Sequence, residues 1–429
     1  MGLPTRKRGS GVAALLSVLP RYGQLLRSQY RRRDVLAVYS RRCLEETLRA
    51  AANISFYRER LGQLRPEQDL QSLPTLKRSE IASLNQSVRE RFGDVGFFRD
   101  RSSGSTGMPA EFLFDAAHQN GRNAARIRYL RANGWNPARR NAWIAAFTSD
   151  PADTPDVALL RSRLVLRTKF LPIFDPFERQ VERLSRLDPL YLYTLPSNLD
   201  GLLRVFEDMG TRLRSLRRIF TGGEVLEDSL RERTRAALGA EISDNYGSTE
   251  GFIAWQCPAG TYHINAEHMF VEIVDERYLP VAPGQLGKVL VTTLENRLMP
   301  LVRYEIGDYA IAGNGTCRCG RTLPTIAKVI GRGINLFRLP GDQLVSPWPL
   351  VGPLKARPQL RQFQIVQDTV DHYIVRFAAD RVLDREAEDD IRATFCRILK
   401  MSVSVAFERV DQIPRTPGGK FMTALSRLG

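Results

Sequence analysis

The stretch RSSGSTGMPAEF, at positions 101–112, gathers small and hydroxylated residues whose chemistry suits phosphate groups. Glycine lets a backbone approach a ligand closely, and Ser and Thr hydroxyls add donors to the backbone N–H groups. The pattern fits a polyphosphate cradle and, equally, a flexible Ser/Gly linker. It is not the P-loop of NTPases, because the pattern GxxxxGK[ST] does not occur in it.

Three cysteines and one histidine form a second set of residues with defined chemistry. Cys257 and His263 form a C-x5-H pair, and Cys317 and Cys319 form a C-x-C pair, each beside a turn that contains glycine. Three thiolates and one imidazole would complete a tetrahedral structural zinc site and leave no open position. The alternative is a group of reduced thiols without a metal. Both interpretations remain open at this level.

The composition predicts a globular protein with two or three domains. The chain has 429 residues, of which 43% are hydrophobic and 26% are charged. No apolar run reaches the roughly 20 residues that cross a bilayer. The apolar run GVAALLSVLP lacks a small-residue cleavage site, so we expect a cytoplasmic protein. Cys43 and Cys396 lie in helical patterns and are expected to be core residues.

The net charge of +16 is concentrated near the beginning of the chain. Residues 1–50 contain eleven Lys and Arg against three acidic residues, a balance of +8. Such a segment suits nucleic acid, peripheral contact with an anionic membrane or an acidic carrier protein, or is simply a solvated helix face. A large anionic ligand such as a nucleotide or coenzyme A would also suit a basic protein.

The elements that must position these residues follow from the hydrophobic periodicity. The first hundred residues read as helical, and from about residue 140 short apolar strands alternate with helices, which indicates an α/β fold with a largely parallel sheet. The segment SNLDGLLRVFEDMG predicts a helix with a Ser/Asn cap. Beyond residue 262 the pattern indicates antiparallel strands or a barrel-like part. After the Gly-rich stretch IGRGINLFRLPGD, a small α+β region follows.

Six motifs then occur in a fixed order: SSGSTGMP at 102–109, TGGEVL at 221–226, DNYGSTEG at 244–251, VRYEIGDYA at 302–310, GRGIN at 331–335 and RTPGGK at 415–420. This order resembles the adenylate-forming superfamily of acyl-CoA ligases, luciferases and peptide-synthetase adenylation domains. The segments CRCGR and FYRERL resemble its phenylacetate–coenzyme A ligase branch, which includes capsule-biosynthesis-type members. The resemblance extends from about residue 40 to the C-terminus. It implies a large domain over residues 1–332 and a small mobile domain over residues 333–429.

The resemblance also implies a role for each motif in binding ATP. The phosphate loop would be Ser102, Ser103, Gly104, Ser105, Thr106 and Gly107. The nucleotide pocket would include Gly222, Gly223 and Glu224, mainly through their backbone, together with Asn245, Tyr246, Gly247 and Ser248. Within that pocket Tyr246 would lie against adenine, Thr249 near the α-phosphate, and Glu250 on Mg²⁺. Many relatives have Lys where this chain has Met108, which removes one contact to the leaving pyrophosphate.

The later motifs supply the ribose site, the hinge and the catalytic cation. Asp308 matches a carboxylate that accepts from both ribose hydroxyls, and Arg332 ends the large domain. Asn335 matches a hinge residue that is usually Asp in relatives. Lys420, on a Gly-rich loop, matches the lysine that neutralises charge at the acyl–phosphate junction. Arg303 either supports the site or is an arginine at the edge of the core.

The function implied is ATP- and Mg²⁺-dependent activation of a carboxylic acid, with transfer of the acyl group to coenzyme A. The resemblance also implies a structural zinc ion at the Cys/His set. An aryl or arylacetic acid is our default, and a fatty acid is the alternative. The acceptor could instead be a carrier-protein phosphopantetheine or an amine. Two other classes stay open: a zinc-stabilised nucleic-acid-binding protein, which leaves Lys420 unexplained, and a catalytically inactive scaffold. The oligomeric state is not predicted.

Overall fold

The computed structural model describes residues 11–61, 70–93, 97–102, 110–146, 167–355, 357, 360, 362–379, 383–416 and 418–428. Its helices are α1 (Gly11–Ser28), α2 (Arg33–Ala52), α3 (Ser55–Leu61), α4 (Ile81–Phe92), α5 (Ala116–Ala132), α6 (Phe177–Leu187), α7 (Pro196–Asp208), α8 (Asp228–Leu238), α9 (Trp348–Lys355) and α10 (Arg385–Leu399). None of these described helices combines the length and the apolar sequence that crossing a bilayer requires.

The strands form one large and three smaller sheets within the described residues. They are β1 (Phe98–Arg101), β2 (Glu111–Phe114), β3 (Asn141–Ala145), β4 (Thr168–Pro172), β5 (Tyr191–Tyr193), β6 (Arg218–Gly222), β7 (Glu241–Gly247), β8 (Phe252–Gln256), β9 (Tyr262–Ile264), β10 (Met269–Val274), β11 (Leu286–Thr293), β12 (Tyr304–Ala312), β13 (Thr325–Arg332), β14 (Phe337–Leu339), β15 (Gln343–Val345), β16 (Gln362–Gln367), β17 (His372–Ala378), β18 (Ser404–Arg409) and β19 (Ala424–Ser426).

The large sheet has the strand order β10-β11-β12-β13-β9-β8-β7-β6-β5-β3-β4. Strands β4, β3, β5, β6 and β7 are parallel, and every pair from β7 to β10 is antiparallel. The predicted α/β fold with a largely parallel sheet is therefore confirmed. The antiparallel strands predicted beyond residue 262 join the parallel strands in one continuous sheet.

The parallel strands determine where a ligand can bind. Strands β5, β6 and β7 all end at the same edge of the sheet, because their register is parallel. Loops that leave the carboxyl ends of neighbouring parallel strands form a crevice that suits ligands. The loops after β6 and β7 contain the sequences GEV and STEG, so the fold brings two of the predicted motifs together.

A smaller α+β unit follows the large sheet. Its sheet has the order β18-β17-β16-β19 and packs with α10 around a separate cluster of buried apolar residues that includes Phe337, Ile365 and Phe395. The last strand of the large sheet ends at Arg332, close to the predicted boundary. The exact division between residues 332 and 333 stays a prediction.

One local prediction is wrong. Helix α7 does not begin with a Ser/Asn cap, because Leu195 occupies the N-cap and Pro196 the first helical position. Proline is favoured there since its missing N–H is not needed in the first turn. The backbone N–H of Ser197 donates instead to the Glu224 carboxylate, at 2.8 Å. A side chain from a distant loop therefore accepts a hydrogen bond from a free N–H group in the first turn of the helix.

Candidate active site

A cavity of about 200 Å³ lies between the edge of the large sheet and the last strands of the small unit. The large sheet contributes the loops after β6 and β7 and the end of β13, and the small unit contributes Thr416 and residues 420–424. The predicted site residues that line it are Ser102, Gly223, Glu224, Asn245, Tyr246, Gly247, Ser248, Thr249, Asp308, Arg332, Asn335 and Lys420. Motifs far apart in sequence therefore meet in one place.

Lys420 enters this cavity from a tight turn. Gly419 N donates to the Thr416 carbonyl at 2.8 Å, and Lys420 N donates to Thr416 Oγ1 at 3.2 Å. Gly419 has φ of 80°, and a side chain there would meet Ile173 at 2.8 Å, so the turn needs glycine to dock on the large domain. A methyl group at Gly223 would lie 3.7 Å from Lys420 Nζ. The ammonium is thus held over the loop that follows β6.

The charges around Lys420 are mixed. Burial lowers the pKa of Lys420, the Glu224 and Asp308 carboxylates raise it, and Arg332 lowers it further. Glu224 accepts hydrogen bonds from the N–H and Oγ of Ser197, at 2.8 and 2.9 Å. Burial raises the pKa of Glu224, and Ser197 and Lys420 oppose that shift. Glu224 therefore faces the site through its side chain, in addition to the backbone role that the motif suggested.

Asp308 is the centre of a second group in the cavity. Its Oδ2 accepts from the Tyr246 hydroxyl at 2.8 Å, and its Oδ1 lies 3.2 Å from Arg332 Nε. Arg332 also donates to the Ile306 carbonyl at 2.7 Å. The pKa of Arg332 is raised, chiefly by Asp308 and also by Glu250. A carboxylate fixed in this way can accept two neighbouring hydroxyl groups in one orientation.

Glu250 lies behind the cavity wall and is 3% exposed. Burial raises the pKa of its carboxyl, and the Ser248 side chain and the Arg332 charge lower it. Thr249, the neighbouring residue, lines the cavity directly. A carboxylate oxygen among small residues has the ligand type that Mg²⁺ prefers. Glu250 therefore supplies one oxygen ligand of the type that fits the ion, next to the cavity residue Thr249.

Only the first residue of the predicted phosphate loop falls within the described part of the chain. Ser102 lines the cavity and its Oγ accepts from Arg78 Nη2 at 2.5 Å. Ser103, Gly104, Ser105, Thr106 and Gly107, with Met108, lie outside the described residues. Arg78 is itself a cavity residue, and sequence reasoning missed it because no motif surrounds it.

An aromatic group adjoins the cavity through the cavity residue Asn245. Asn245 Nδ2 donates to the Thr221 carbonyl and to the Tyr193 hydroxyl, at 2.6 and 3.0 Å. The Tyr193 ring lies 4.3 Å from the Trp143 ring between centroids, and Phe170 is 6.2 Å from Trp143. A methyl group at Gly222 would lie 2.4 Å from Asn245 Nδ2. The rings of Trp143, Tyr193 and Phe170 therefore lie next to the cavity lining, and Asn245 links them to it.

Asp244 is another cavity residue that the sequence did not single out. Its carboxylate accepts from Thr221 Oγ1 at 2.5 Å and from the Tyr262 hydroxyl. Burial raises the pKa of Asp244 to about 6, and both hydroxyl donors oppose the shift. The residue directly precedes Asn245, so its position in the quoted motif was the available signal.

Arg415 joins the lysine turn to the large domain, and it too was missed. Its Nη1 donates to Asn198 Oδ1 at 3.1 Å and to the Gly419 carbonyl at 3.4 Å. The guanidinium lies 5.1 Å from the Phe177 ring of the large domain and 4.5 Å from the Phe421 ring of the small one. We call this group, Phe177, Arg415 and Phe421 with Asn198, the arginine clamp.

The Cys/His set is brought together away from this cavity. Cys257 Sγ lies 3.6 Å from Cys317 Sγ, and Cys319 Sγ lies 3.3 Å from His263 Nε2. All four ligand atoms lie within 4.8 Å of one another. Tetrahedral zinc, with Zn–S of about 2.3 Å and Zn–N of about 2.0 Å, separates its ligand atoms by about 3.5–3.8 Å. The residues therefore fit a zinc ion.

Arg303 is a core residue and does not line the cavity. It is 2% exposed and has φ of 48°. It lies 3.2 Å from Glu272 and donates to the Leu73 carbonyl at 2.7 Å. The sequence motif allowed Arg303 to support the site or to lie at the edge of the core. Its burial and its hydrogen bonds to backbone carbonyls show that it lies in the core.

Family comparisons agree with this geometry. Residues 157–295 match a family described as "AMP-binding enzyme", and residues 343–426 match "CapK C-terminal domain". The chain is 24% identical over 278 residues to phenylacetate-coenzyme A ligase of Thermus thermophilus, covering 58% of this chain and 62% of that protein. It is 25% identical over 225 residues to protein CapK of Staphylococcus aureus, covering 49% of this chain and 46% of that protein. These matches span about half of each relative.

Solved structures share the fold. A 2-hydroxyisobutyryl-CoA ligase in the postadenylation state with 2-HIB-AMP is 20% identical, with a TM-score of 0.72, and the match covers 91% of this chain and 89% of that one. The ordered motifs, the cavity they share and the two family matches lead to one assignment. The chain contains a segment that matches the AMP-binding enzyme family and one that matches the CapK C-terminal domain, and it is similar to phenylacetate–coenzyme A ligase and CapK.

Proposed function

We propose that this protein activates a carboxylic acid with ATP and transfers the acyl group to the thiol of coenzyme A. The observation that carries the proposal is the convergence of Lys420, Asp308 with Tyr246, and Thr249 on one cavity between two domains. An acid, a nucleotide and a cation must meet in this way for acyl adenylation.

The first step joins a carboxylate oxygen to the α-phosphorus of ATP, and the bond to the pyrophosphate oxygen breaks. Lys420 Nζ neutralises the negative charge that accumulates between the two reactants, while Asp308 holds the ribose. Mg²⁺, held by Glu250, would screen the phosphate charge. In the second step the thiol sulfur of coenzyme A attacks the acyl carbon, the thiol proton is lost and AMP leaves.

An aryl or arylacetic acid is the substrate class that we propose. The cavity residue Asn245 donates to the Tyr193 hydroxyl, and the Trp143 ring lies beside the rings of Tyr193 and Phe170. An acid whose planar ring reaches this aromatic group would be favoured, because aromatic rings gain energy from offset or edge contacts beyond their buried area. We also propose that zinc at Cys257, His263, Cys317 and Cys319 has a structural role, since a four-ligand set leaves no open position for chemistry.

The test is ATP-dependent pyrophosphate release over aryl, arylacetic and fatty acids, with and without coenzyme A. We expect one aryl class to stimulate release, and the thioester to appear by mass spectrometry only with coenzyme A. If pyrophosphate is released but no thioester forms, the acyl acceptor would be a carrier protein or an amine in place of coenzyme A. No release with any acid would contradict the proposed activity.

Arg78 supplies a testable contact to the leaving group. It lies at Ser102, where the predicted phosphate loop begins, and beside the Tyr304 hydroxyl. Arginine binds phosphate through a fixed fork of donors. We expect Arg78→Ala to raise the KM for pyrophosphate in the ATP–pyrophosphate exchange reaction about tenfold. Exposed Arg91→Ala, on α4, is the control. An unchanged KM for pyrophosphate in Arg78→Ala would remove Arg78 from the site.

The arginine clamp gives a second prediction. Arg415→Ala should lower kcat of adenylation about tenfold with little change in the KM for ATP, because Lys420 loses its fixed position while the nucleotide residues are untouched. Arg415→Lys should recover part of the rate. The control is Arg427→Ala, whose ion pair to Asp368 is local to the small domain. Equal kcat in Arg415→Ala and Arg427→Ala would contradict the clamp.

A further inference from the structure

The described residues expose twelve large apolar side chains, and seven of these lie between Leu16 and Tyr39. Val38 is 71% exposed and Leu16 is 60% exposed. Single exposed apolar residues are ordinary on a protein surface, whereas a concentration of them marks a contact site. The N-terminal helices therefore carry a feature that the active site does not explain.

These side chains share one side of each helix. On α1, Leu16, Leu19 and Leu26 are exposed, whereas Val18 and Leu25, on the opposite side, are buried in the core. Spacings of three and seven residues place the three leucines on a single helical face. Helix α1 is therefore apolar on both sides, and only one of them packs against the protein.

Helix α2 also exposes apolar side chains. Val35, Val38 and Tyr39 are exposed, while Leu36 and Cys43 face the core. Arg21 Nη1 of α1 donates to the Tyr39 hydroxyl at 3.2 Å. A cleft of about 320 Å³ lies between the helices, and α1 lines it with polar residues while α2 contributes Val35 and Tyr39. We call the exposed apolar and basic side chains of α1, α2 and the turn between them the hairpin face.

The hairpin face is strongly basic. Arg27 and Arg31 line the cleft, are exposed, and have no ion-pair partner among the described residues. Arg41 and Arg42 are exposed on α2 and lie 3.7 and 3.4 Å from acidic residues of the same helix. Helices that lie in a membrane interface combine leucine and valine with arginine in this way. Their apolar side chains insert into the membrane, and their cations contact the lipid headgroups.

We infer that the hairpin face docks on an anionic phospholipid surface. The charge complementarity selects this occupant over a second copy of the chain, because a two-fold contact would oppose arginine to arginine. Each arginine near an anionic leaflet strengthens binding about fivefold, and the inserted aliphatic side chains add to this. The observations behind this inference do not involve the active site. If the protein binds a membrane in this way, its acyl-transfer reaction takes place at the membrane surface.

The test is co-sedimentation of the full chain with vesicles of phosphatidylcholine alone or mixed with phosphatidylglycerol. We expect binding to the anionic vesicles only, weakened when salt rises from about 0.1 M to 1 M, where the screening length falls from about 10 to 3 Å. The double variant Leu16→Asp, Val38→Asp should lower the partition constant at least about tenfold. Arg27→Glu, Arg31→Glu should do the same. Met209→Asp, at an exposed apolar position elsewhere, should bind normally.

Four results would overturn the inference: no binding to anionic vesicles, equal binding to neutral ones, wild-type binding by both double variants, or tight binding to duplex DNA or an acidic protein in place of vesicles. A dimer dissociated by Leu16→Asp, Val38→Asp in gel filtration would assign the face to a second copy. Circular dichroism checks that each variant is folded. Pyrophosphate release without vesicles should be unchanged in all of them, which separates failure here from failure of the proposed activity.

Discussion

Replacing Lys420 by Ala should reduce the rate of adenylate formation by about 10² to 10³, the usual cost of removing one group that stabilises transition-state charge. The ammonium lies over Gly223, and the Glu224 and Asp308 carboxylates act on its charge. ATP affinity should change little, because Asp308 and Tyr246 remain. Single-turnover pyrophosphate release measures the rate, and calorimetry measures ATP binding.

Lys400→Asn is the matched control for Lys420. It removes an exposed lysine of the same small domain at a left-handed position that asparagine tolerates. The pH profile adds a second readout. Because burial lowers the pKa of Lys420, wild-type adenylation should fall on the alkaline side earlier than an ordinary lysine allows. In Lys420→Arg the residual rate should persist to higher pH, since arginine stays charged. A wild-type rate in Lys420→Ala would refute the assignment.

The second large effect concerns stability. Cys317→Ser should remove bound zinc and lower the thermal midpoint by at least about 5 °C, because zinc binding energy is folding energy where the ligands come from separated segments. Here the four ligands join the segments 257–263 and 317–319. Elemental analysis and calorimetry on the same sample measure both quantities.

Cys396→Ser is the matched control, since Cys396 is a partly buried thiol outside the ligand set, 3.8 Å from the Val403 carbonyl. It should keep the zinc content of the wild type. If wild-type protein purified without chelator contains no zinc, the proposed zinc site is contradicted. The three cysteines would then be reduced thiols without a metal.

The sequence predicted the elements and loops that a local pattern of residues defines. The alternation of short apolar runs with helical segments predicted strand–helix–strand units such as β6, α8 and β7, and α8 has a clear end at the left-handed Gly239. The motifs predicted which loops meet, since parallel strands bring their carboxyl ends to one edge. The Cys/His pairs likewise predicted a cluster whose ligand atoms are now seen together.

The missed residues act through partners that are distant in sequence. Arg78 and Arg415 are two arginines in an arginine-rich chain, and only the contacts with Ser102 and Asn198 distinguish them. Glu224 was assigned a backbone role because its side-chain partner, Ser197, belongs to another element. The aromatic group of Trp143, Tyr193 and Phe170 combines three strands, so no local pattern reveals it.

The arginine clamp would also limit the turnover rate of the proposed reaction. In the proposed two-step reaction, the contacts of Arg415 with Phe177 and Phe421 would position Lys420 for the first step and would have to break before the small domain could turn for the second. Stronger contacts would then speed adenylate formation and delay thiol transfer, whereas weaker contacts would do the opposite. The time for which Arg415 stays between the two rings would therefore set the interval between the two proposed steps.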